Sequence, residues 1–425
     1  MSDKKYILYI FHRDLRLYDN ETLRAAAAKA KTLGAHIIPA FIFTPAQVSN
    51  KLNIYKSHPS VQFMVQSLED LDNQLKQEGA PGLSLFHGDN DKVVYELLTT
   101  LPIKAIYETA DYTPFAKQRQ EQILGLSTLL EVEYNLIHDT YLTEPGTVLN
   151  KSKKPFQKFT PFYETARRHP VPAPQPAPNK IAWCPQKHGD FSFKEAHDLY
   201  TKKKGIAVNG GREEAKKLLA HLPDNYDKEK DTPSIPTSLL SAHHHFGTIS
   251  IRESYHAAKK HPHMREFIRQ LYWRDFYGQI TDAFEELYNT SPYTFQHDKS
   301  AAKGRWNYDR AAFNRWATGK TGVPMVDAAM KQLLETGYMH NRARLISANY
   351  LVKTLKVFWR WGEAHFARHL VDYDFAQNFG NWSWVASVLP YSQAPFRSLD
   401  PETQQKKVDP EHTYTDKWLP QSSKA

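Results

Sequence analysis

The chain has 425 residues, more than one hydrophobic core usually organises, so at least two cores are expected and a mini-protein is excluded. Hydrophobic residues at 41% and charged residues at 24% belong to a folding globular chain rather than a disordered one. A single cysteine, Cys184, excludes an internal disulfide, a cysteine zinc site and a cysteine-held iron–sulfur cluster, whereas a net charge of +9 suits a polyanionic partner such as nucleic acid.

In chain order, the first third alternates short apolar runs with amphipathic stretches. Tyr6 to Phe11, Ile37 to Phe43, Leu83 to Phe86 and Lys104 to Tyr107 read as strands; Asn20 to Leu33, Val61 to Lys76, Val93 to Leu98 and Gln118 to Leu130 read as helices. This rhythm predicts an open α/β domain over residues 1–135, a Rossmann-like parallel sheet with helices on both faces. The dinucleotide fingerprint G-x-G-x-x-G is absent after the first strand, where Phe11 to Asn20 reads FHRDLRLYDN. Pro170, Pro172, Pro174, Pro176 and Pro178 then alternate with other residues, which neither a helix nor a central strand tolerates, so residues 136–205 are expected to be a linker. Beyond it, Met264 to Leu287, Val323 to Thr336 and Arg342 to Phe358 carry apolar residues at three- and four-residue spacing, predicting an all-α domain over residues 206–425. No apolar run reaches bilayer length, so a soluble, intracellular protein without a membrane partner is expected.

Several constellations invite chemistry. Thr237 to Ser241 follows Pro236 and precedes a helical run, so its hydroxyls and free N–H groups either cap the helix or face a phosphate, with plain capping favoured on this segment alone. His243, His244 and His245 are consecutive and would point in different directions on a helix, which argues against a shared metal and for solvated or capping histidines. Gly319-Lys320-Thr321 resembles the end of a phosphate loop, but Asn314 stands where that motif needs glycine; a helix end at Gly319 and a new helix near Pro324 is the better reading. Arg344 with Asp372 and Asp374 could form a buried arginine–carboxylate cluster, followed by Asn378, Trp382 and Trp384. The tryptophans lie from Trp273 onward except for Trp183, an asymmetry that needs an explanation, with core packing one candidate.

Taken in order, FHRDLRLYDN, TSLLSAHHHFGTIS from Thr237, QLYWRDFY from Gln270, WATGKTGVPMVDAAMKQL from Trp316, GYMHNRARLI from Gly337, DYDFAQNFGNWSW from Asp372 and FRSLDPETQ from Phe396 resemble the photolyase/cryptochrome family. The resemblance is nearest to class I photolyases that act on cyclobutane pyrimidine dimers. It covers nearly the whole chain and implies a helical domain holding FAD in a folded form. By matching positions, Tyr226, Thr237, Ser238, Leu240 and Ser241 would hold the pyrophosphate region, and Arg344, Asp372 and Asp374 the isoalloxazine edge and ribityl chain. Asn378 would face flavin N5; Phe267, Gln270, Arg274 and Asn341 complete the cofactor-binding set.

The implied activity is that of a carbon–carbon lyase: excited reduced FAD donates an electron to a flipped-out dimer, the bonds joining the bases break, and the electron returns. Trp273 and Trp384 would wall the lesion cavity, with Gln270 and Asn341 hydrogen-bonding to the bases. Lys230, Arg274, Arg342, Arg397 and Gln404 match positions facing UV-damaged DNA. Trp382, Trp359 and Trp306 match a chain of redox-active indoles that lets light reduce the flavin. The N-terminal cleft would take an antenna chromophore, a folate or a deazaflavin, or nothing. A monomer is implied, cytoplasmic or, in a eukaryote, nuclear.

The chain departs from the pattern at Gln270, where enzymes for cyclobutane dimers usually carry glutamate, at Phe267 and Tyr338, where tryptophan is common, and at Leu345, where methionine is common. Enzymes for 6-4 photoproducts also carry glutamine at the Gln270 position, but place histidines where Asn341 and Leu345 stand here. A cryptochrome-type photoreceptor, with the same flavin and no repair, is the competing reading.

Overall fold

The computed structural model describes residues 4–284, 306–388 and 398–420. Its N-terminal part is built on β1 (Tyr6–Ile10), β2 (His36–Phe43), β3 (Ser84–His87), β4 (Ile103–Thr109) and β5 (Glu133–Ile137), all parallel in the order β3-β2-β1-β4-β5. The intervening helices are α1 (Glu21–Leu33), the short α2 (Pro45–Val48), α3 (His58–Gln77), α4 (Asn90–Thr100) and α5 (Pro114–Leu129). Because side chains alternate along a strand, β1 feeds two cores. Ile7, Tyr9 and Phe11 pack with Leu23 and Ala26 of α1 and Phe63 and Leu68 of α3, while Leu8 and Ile10 pack with Val94 and Leu97 of α4 and Ile123 of α5. The expected doubly covered sheet is present. Strand β5 was not anticipated: none of its five residues is buried, so EYNLI lacks the apolar signal that marked the others.

The connection between the halves carries two short helices, α6 (Phe159–Ala166) and α7 (Phe193–Asp198), and no helix or strand through residues 170–180. The proline-rich stretch is anchored rather than loose, since Gln175 and Asp19 exchange hydrogen bonds of 2.8 and 2.9 Å. Helices α8 (Arg212–Ala220), α9 (Tyr226–Glu229), α10 (Ser241–Phe246), α11 (Ile251–Ala258) and the long α12 (Arg265–Ala283) follow. Next come α13 (Arg310–Ala317), α14 (Pro324–Thr336), α15 (Asn341–Asn349), α16 (Trp359–His369), α17 (Phe375–Ala386), α18 (Pro401–Val408) and α19 (Thr413–Trp418). Two glycines set helix distances: a Cβ on Gly380 would lie 2.2 Å from Tyr277 of α12, and one on Gly362 would lie 2.2 Å from Trp382 of α17.

The periodic segment Arg342 to Phe358 is not one helix. Helix α15 ends at Asn349, a π-turn covers Tyr350–Thr354, and Lys356 turns back at φ 52° before α16 begins. The pattern ran through because Leu351, Val352, Val357 and Phe358 all enter the same core on either side of the break. The Gly319-Lys320-Thr321 stretch is a helix junction, as expected: Gly319 is left-handed after α13, and Asp327 of α14 accepts from the backbone N–H of Thr321 and Gly322.

Candidate functional site

Helices α12, α15 and α17 and the segment leading into α10 enclose a cavity of about 430 Å³. Its two ends differ chemically. At one, Thr237, Ser238 and Ser241 present hydroxyls beside backbone that turns sharply, with Leu239 at φ 54°. Tyr338 closes this end, its hydroxyl 3.2 Å from that of Thr237, and Tyr226 lies edge-on to Phe267 at 5.5 Å. At the other, Trp273, Trp382, Trp384 and Tyr277 supply aromatic wall, with Gln270 and Asn341 exposed at the rim.

Charges line the middle. One terminal nitrogen of Arg344 reaches both oxygens of Asp372, at 2.9 and 3.1 Å, while its Nε–H donates to Met339 O at 2.8 Å. Asp374 caps α17 by accepting from Gln377 N–H at 3.1 Å, and its other oxygen accepts from Arg13 of the N-terminal domain and lies 3.1 Å from His245 Nδ1. Burial opposes ionisation of Asp374, but Arg13 and His245 overcome it and hold the carboxyl well below its ordinary range. Asn378 places its amide nitrogen 3.1 Å from both the backbone and a side-chain oxygen of Glu363 on α16. A backbone carbonyl only accepts, so the nitrogen must face Glu363, leaving the Asn378 carbonyl oxygen as the atom offered to the cavity.

Of the residues singled out from sequence, Tyr226, Lys230, Thr237, Ser238, Leu240, Ser241, Phe267, Gln270, Trp273, Arg274, Asn341, Arg344, Asp372, Asp374, Asn378, Trp382 and Trp384 all line this one cavity. Arg342 lies outside it, paired to Asp231 at 2.7 Å, and Asp231 also holds Lys230 at 3.0 Å. Gln404 lies on α18, half-buried and away from the lining, and Arg397 falls outside the described residues. Trp359 is fully buried against Phe379 at 5.6 Å, and Trp306 is partly exposed against Phe358 at 6.3 Å.

Two expectations need correction. Arg274 does not point outward towards a partner: it is buried, its terminal nitrogens donate to Thr140 O at 2.6 Å and His244 O at 3.0 Å, and its guanidinium lies over Tyr141. The histidine triplet is not solvated. His243 bonds to Thr248 Oγ1 at 2.8 Å and His244 to Ser254 Oγ at 2.7 Å, and burial lowers the pKa of His243 to about 3. The triplet was misread because α10 is a single short helix wedged between domains, so three successive directions are all interior.

Sequence reasoning missed the supports: His245, Glu363 and above all Arg13, which ties the first domain to the start of α17 from 361 residues away. It also missed Trp316, fully buried and edge-on to Trp382 at 6.1 Å. No spacing rule signals such long-range pairs. A second cavity of about 440 Å³ opens at the carboxyl ends of the strands, where strand order reverses about β1, lined by His12, Arg13, Lys56, Asn90, Asp111 and Arg119 among others.

The family described as DNA photolyase matches residues 7–179, and the FAD binding domain of DNA photolyase matches residues 267–425. A deoxyribodipyrimidine photo-lyase of Synechococcus sp. is 32% identical, over 98% of this chain and 88% of that protein. The archaeal photolyase of Sulfolobus tokodaii, solved with two FAD molecules, superposes with a TM-score of 0.85 at 34% identity, covering 98% of this chain and 90% of its own. The class III photolyase of Agrobacterium tumefaciens gives a TM-score of 0.87 at 27% identity, covering 99% and 87%. With sequence, domain order and cavity in agreement, the chain belongs to the DNA photolyase family.

Proposed function

We propose that the protein repairs cyclobutane pyrimidine dimers in DNA, using light and FAD held in the α12–α15–α17 cavity. The donor set fits that cofactor: hydroxyls and a sharply turned backbone for a pyrophosphate at one end, the Arg344–Asp372 pair between, and an amide oxygen with indoles at the other. When bound and reduced, FAD supplies the photoexcited electron that cleaves the dimer and receives it back. The chain's own groups do the rest. Asn378 offers an acceptor, which complements the N–H that only a reduced isoalloxazine carries at N5. Trp273 and Trp384 offer apolar faces to an extruded dimer and exclude water from it, while Gln270 and Asn341 stand at the rim for polar base edges. Lys230 and Arg342, both gathered by Asp231, are placed for phosphates beside the cavity.

The single observation that carries this reading is that Asn378 and the two indoles Trp273 and Trp384 share one cavity. For 6-4 photoproducts the rim would need acid–base groups, and positions 341 and 345 hold an amide and an aliphatic chain. The cavity's own histidines are already hydrogen-bonded within the protein, His244 with Ser254 and His245 with Asp374. That supports the cyclobutane lesion. We place Trp382, Trp359 and Trp306, the first two buried and the third partly exposed, in a path for photoreduction. The second cavity is the place for an antenna chromophore: Arg119 is buried there with Nε unbonded, and Asn90 Oδ1 is likewise without a partner. The protein is taken to act as a monomer, in the compartment that holds the DNA. An absorption spectrum of the purified protein tests the cofactor assignment. A flavin spectrum that bleaches under blue light is expected; protein that stays colourless after incubation with FAD contradicts it.

A further inference from the structure

Between the two domains the chain runs Lys151-Ser152-Lys153-Lys154-Pro155-Phe156-Gln157-Lys158, four lysines without an acid. This is a built turn. Asn150 N–H donates to Lys154 O and Lys153 N–H donates to Asn150 O, both at 2.9 Å. The Asn150 side chain accepts from Ser152 N–H at 2.8 Å and Lys154 N–H at 3.1 Å, and Leu149 bridges Pro155. Lys151, Lys153 and Lys154 are exposed, and no acid among the described residues reaches ion-pair distance of them. Lys153 holds φ 57°, a conformation that costs a lysine energy and that only the surrounding hydrogen bonds maintain.

The turn is fixed to the lesion wall. Val148, Phe156 and Phe159 belong to the same apolar cluster as Trp273 and Trp384, and Phe159 stacks on Trp273 at 3.7 Å between centroids with 7° between planes. Lys154 is two residues from Phe156, so their Cα atoms lie within roughly 7 Å. Arg269, one helical turn before Trp273, lies over Phe159 and Tyr163 and extends the positive band towards the indole.

We propose that the Asn150–Lys154 turn is a second, sequence-independent contact for the DNA backbone, gripping phosphates of the duplex flanking the flipped bases. This rests on the reading that the cavity takes a DNA lesion. A rigid turn with three unneutralised cations beside the rim gives up bound counterions' worth of salt sensitivity for each phosphate it meets, about 0.9 in the slope of log affinity against log salt.

The test replaces all three, Lys151→Gln, Lys153→Gln and Lys154→Gln together, and measures affinity by fluorescence anisotropy between about 50 and about 200 mM salt. For a long duplex, with or without a dimer, the slope is expected to fall by up to about 2.7, about 0.9 for each lysine that meets a phosphate, and affinity at the lower salt by about tenfold or more. A dimer-bearing oligonucleotide too short to leave the cavity rim should bind unchanged, as should the flavin spectrum. The matching Lys→Arg triple variant should keep the wild-type slope. An unchanged slope on the long duplex overturns the proposal. Failure of the parent reading is distinguishable, because it would remove the preference for dimer-bearing over undamaged duplex while leaving the slope difference in place.

Discussion

Asn378 and Glu363 are joined by two contacts of 3.1 Å that fix which end of the amide faces the cavity. Glu363 is itself buried, with Arg360 at 3.5 Å and the Tyr55 hydroxyl at 3.4 Å, and burial raises its pKa despite these partners. Removing the side-chain acceptor leaves the amide held by the backbone carbonyl of residue 363 alone and should loosen its contact with a reduced flavin. Glu363→Leu is expected to shorten the dark lifetime of the reduced protein in air by about tenfold, equivalent to one hydrogen bond of roughly 1.4 kcal/mol. Glu363→Gln, which keeps an acceptor, should stay near wild type; equal lifetimes for all three proteins would remove Glu363 from the account.

Trp382 lines the cavity and is 2% exposed, with Phe366 edge-on at 5.0 Å. Replacing it with phenylalanine keeps the volume roughly filled but removes the oxidisable indole. Trp382→Phe is therefore expected to abolish photoreduction of oxidised flavin while leaving repair by chemically reduced protein within about twofold of wild type. Stopped illumination followed by absorbance checks the first, and unchanged photoreduction would exclude the indole path.

Asp374→Asn retains the cap of α17, since an amide oxygen can still accept from Gln377, but leaves the buried Arg13 guanidinium with only the longer pair to Asp111, at 3.3 Å. Breaking a buried pair in this way costs about 3–5 kcal/mol, visible as a lower unfolding temperature. The folded pKa of Asp374 is depressed, so its contribution is present above the unfolded value near ~3.9 and is lost as pH falls through the folded value. The gap between wild type and variant should be widest near neutrality and close only below about pH 4. A gap that is constant with pH would mean the carboxylate charge is not what stabilises the domain contact.

Four buried histidines make a second acid signature. Burial holds His243 and His365 at about 3 and His340 at about 4, with His244 well below its ordinary value. The unfolded chain takes up protons at these sites from about pH 6.5 downward and the folded chain does not, so stability falls with acid by up to about 1.4 kcal/mol per pH unit for each. His243→Gln should reduce that slope by one proton's worth between about pH 6 and pH 4. Identical slopes would show that His243 is protonated in the folded state.

What the sequence disclosed followed the range of each signal. Strands with buried side chains on both faces, such as Tyr6 to Ile10, announced themselves, whereas β5, with nothing buried, did not. Cavity residues drawn from Thr237 to Ser241 and from Asp372 to Trp384 were legible because they sit in compact segments. Arg13 and Glu363 were not, because their roles depend on partners brought together only by folding, across 361 residues in one case and by adjacent helix faces in the other. Arg274 was placed by its matching family position on the DNA-facing surface as well as in the cofactor set; it lines the cavity, and the carbonyls of Thr140 and His244 that hold it buried are contributed by distant segments.

The most direct measurement is repair itself. Purified protein with its flavin reduced is mixed with an oligonucleotide carrying a cyclobutane thymine dimer and illuminated with blue light, and intact thymines are counted against a dark control. Light-dependent conversion of the dimer to intact thymines, with a matched 6-4 photoproduct left untouched, is the predicted result. Tight flavin and DNA binding with no dimer reversal under light would contradict the account and leave a photoreceptor in its place.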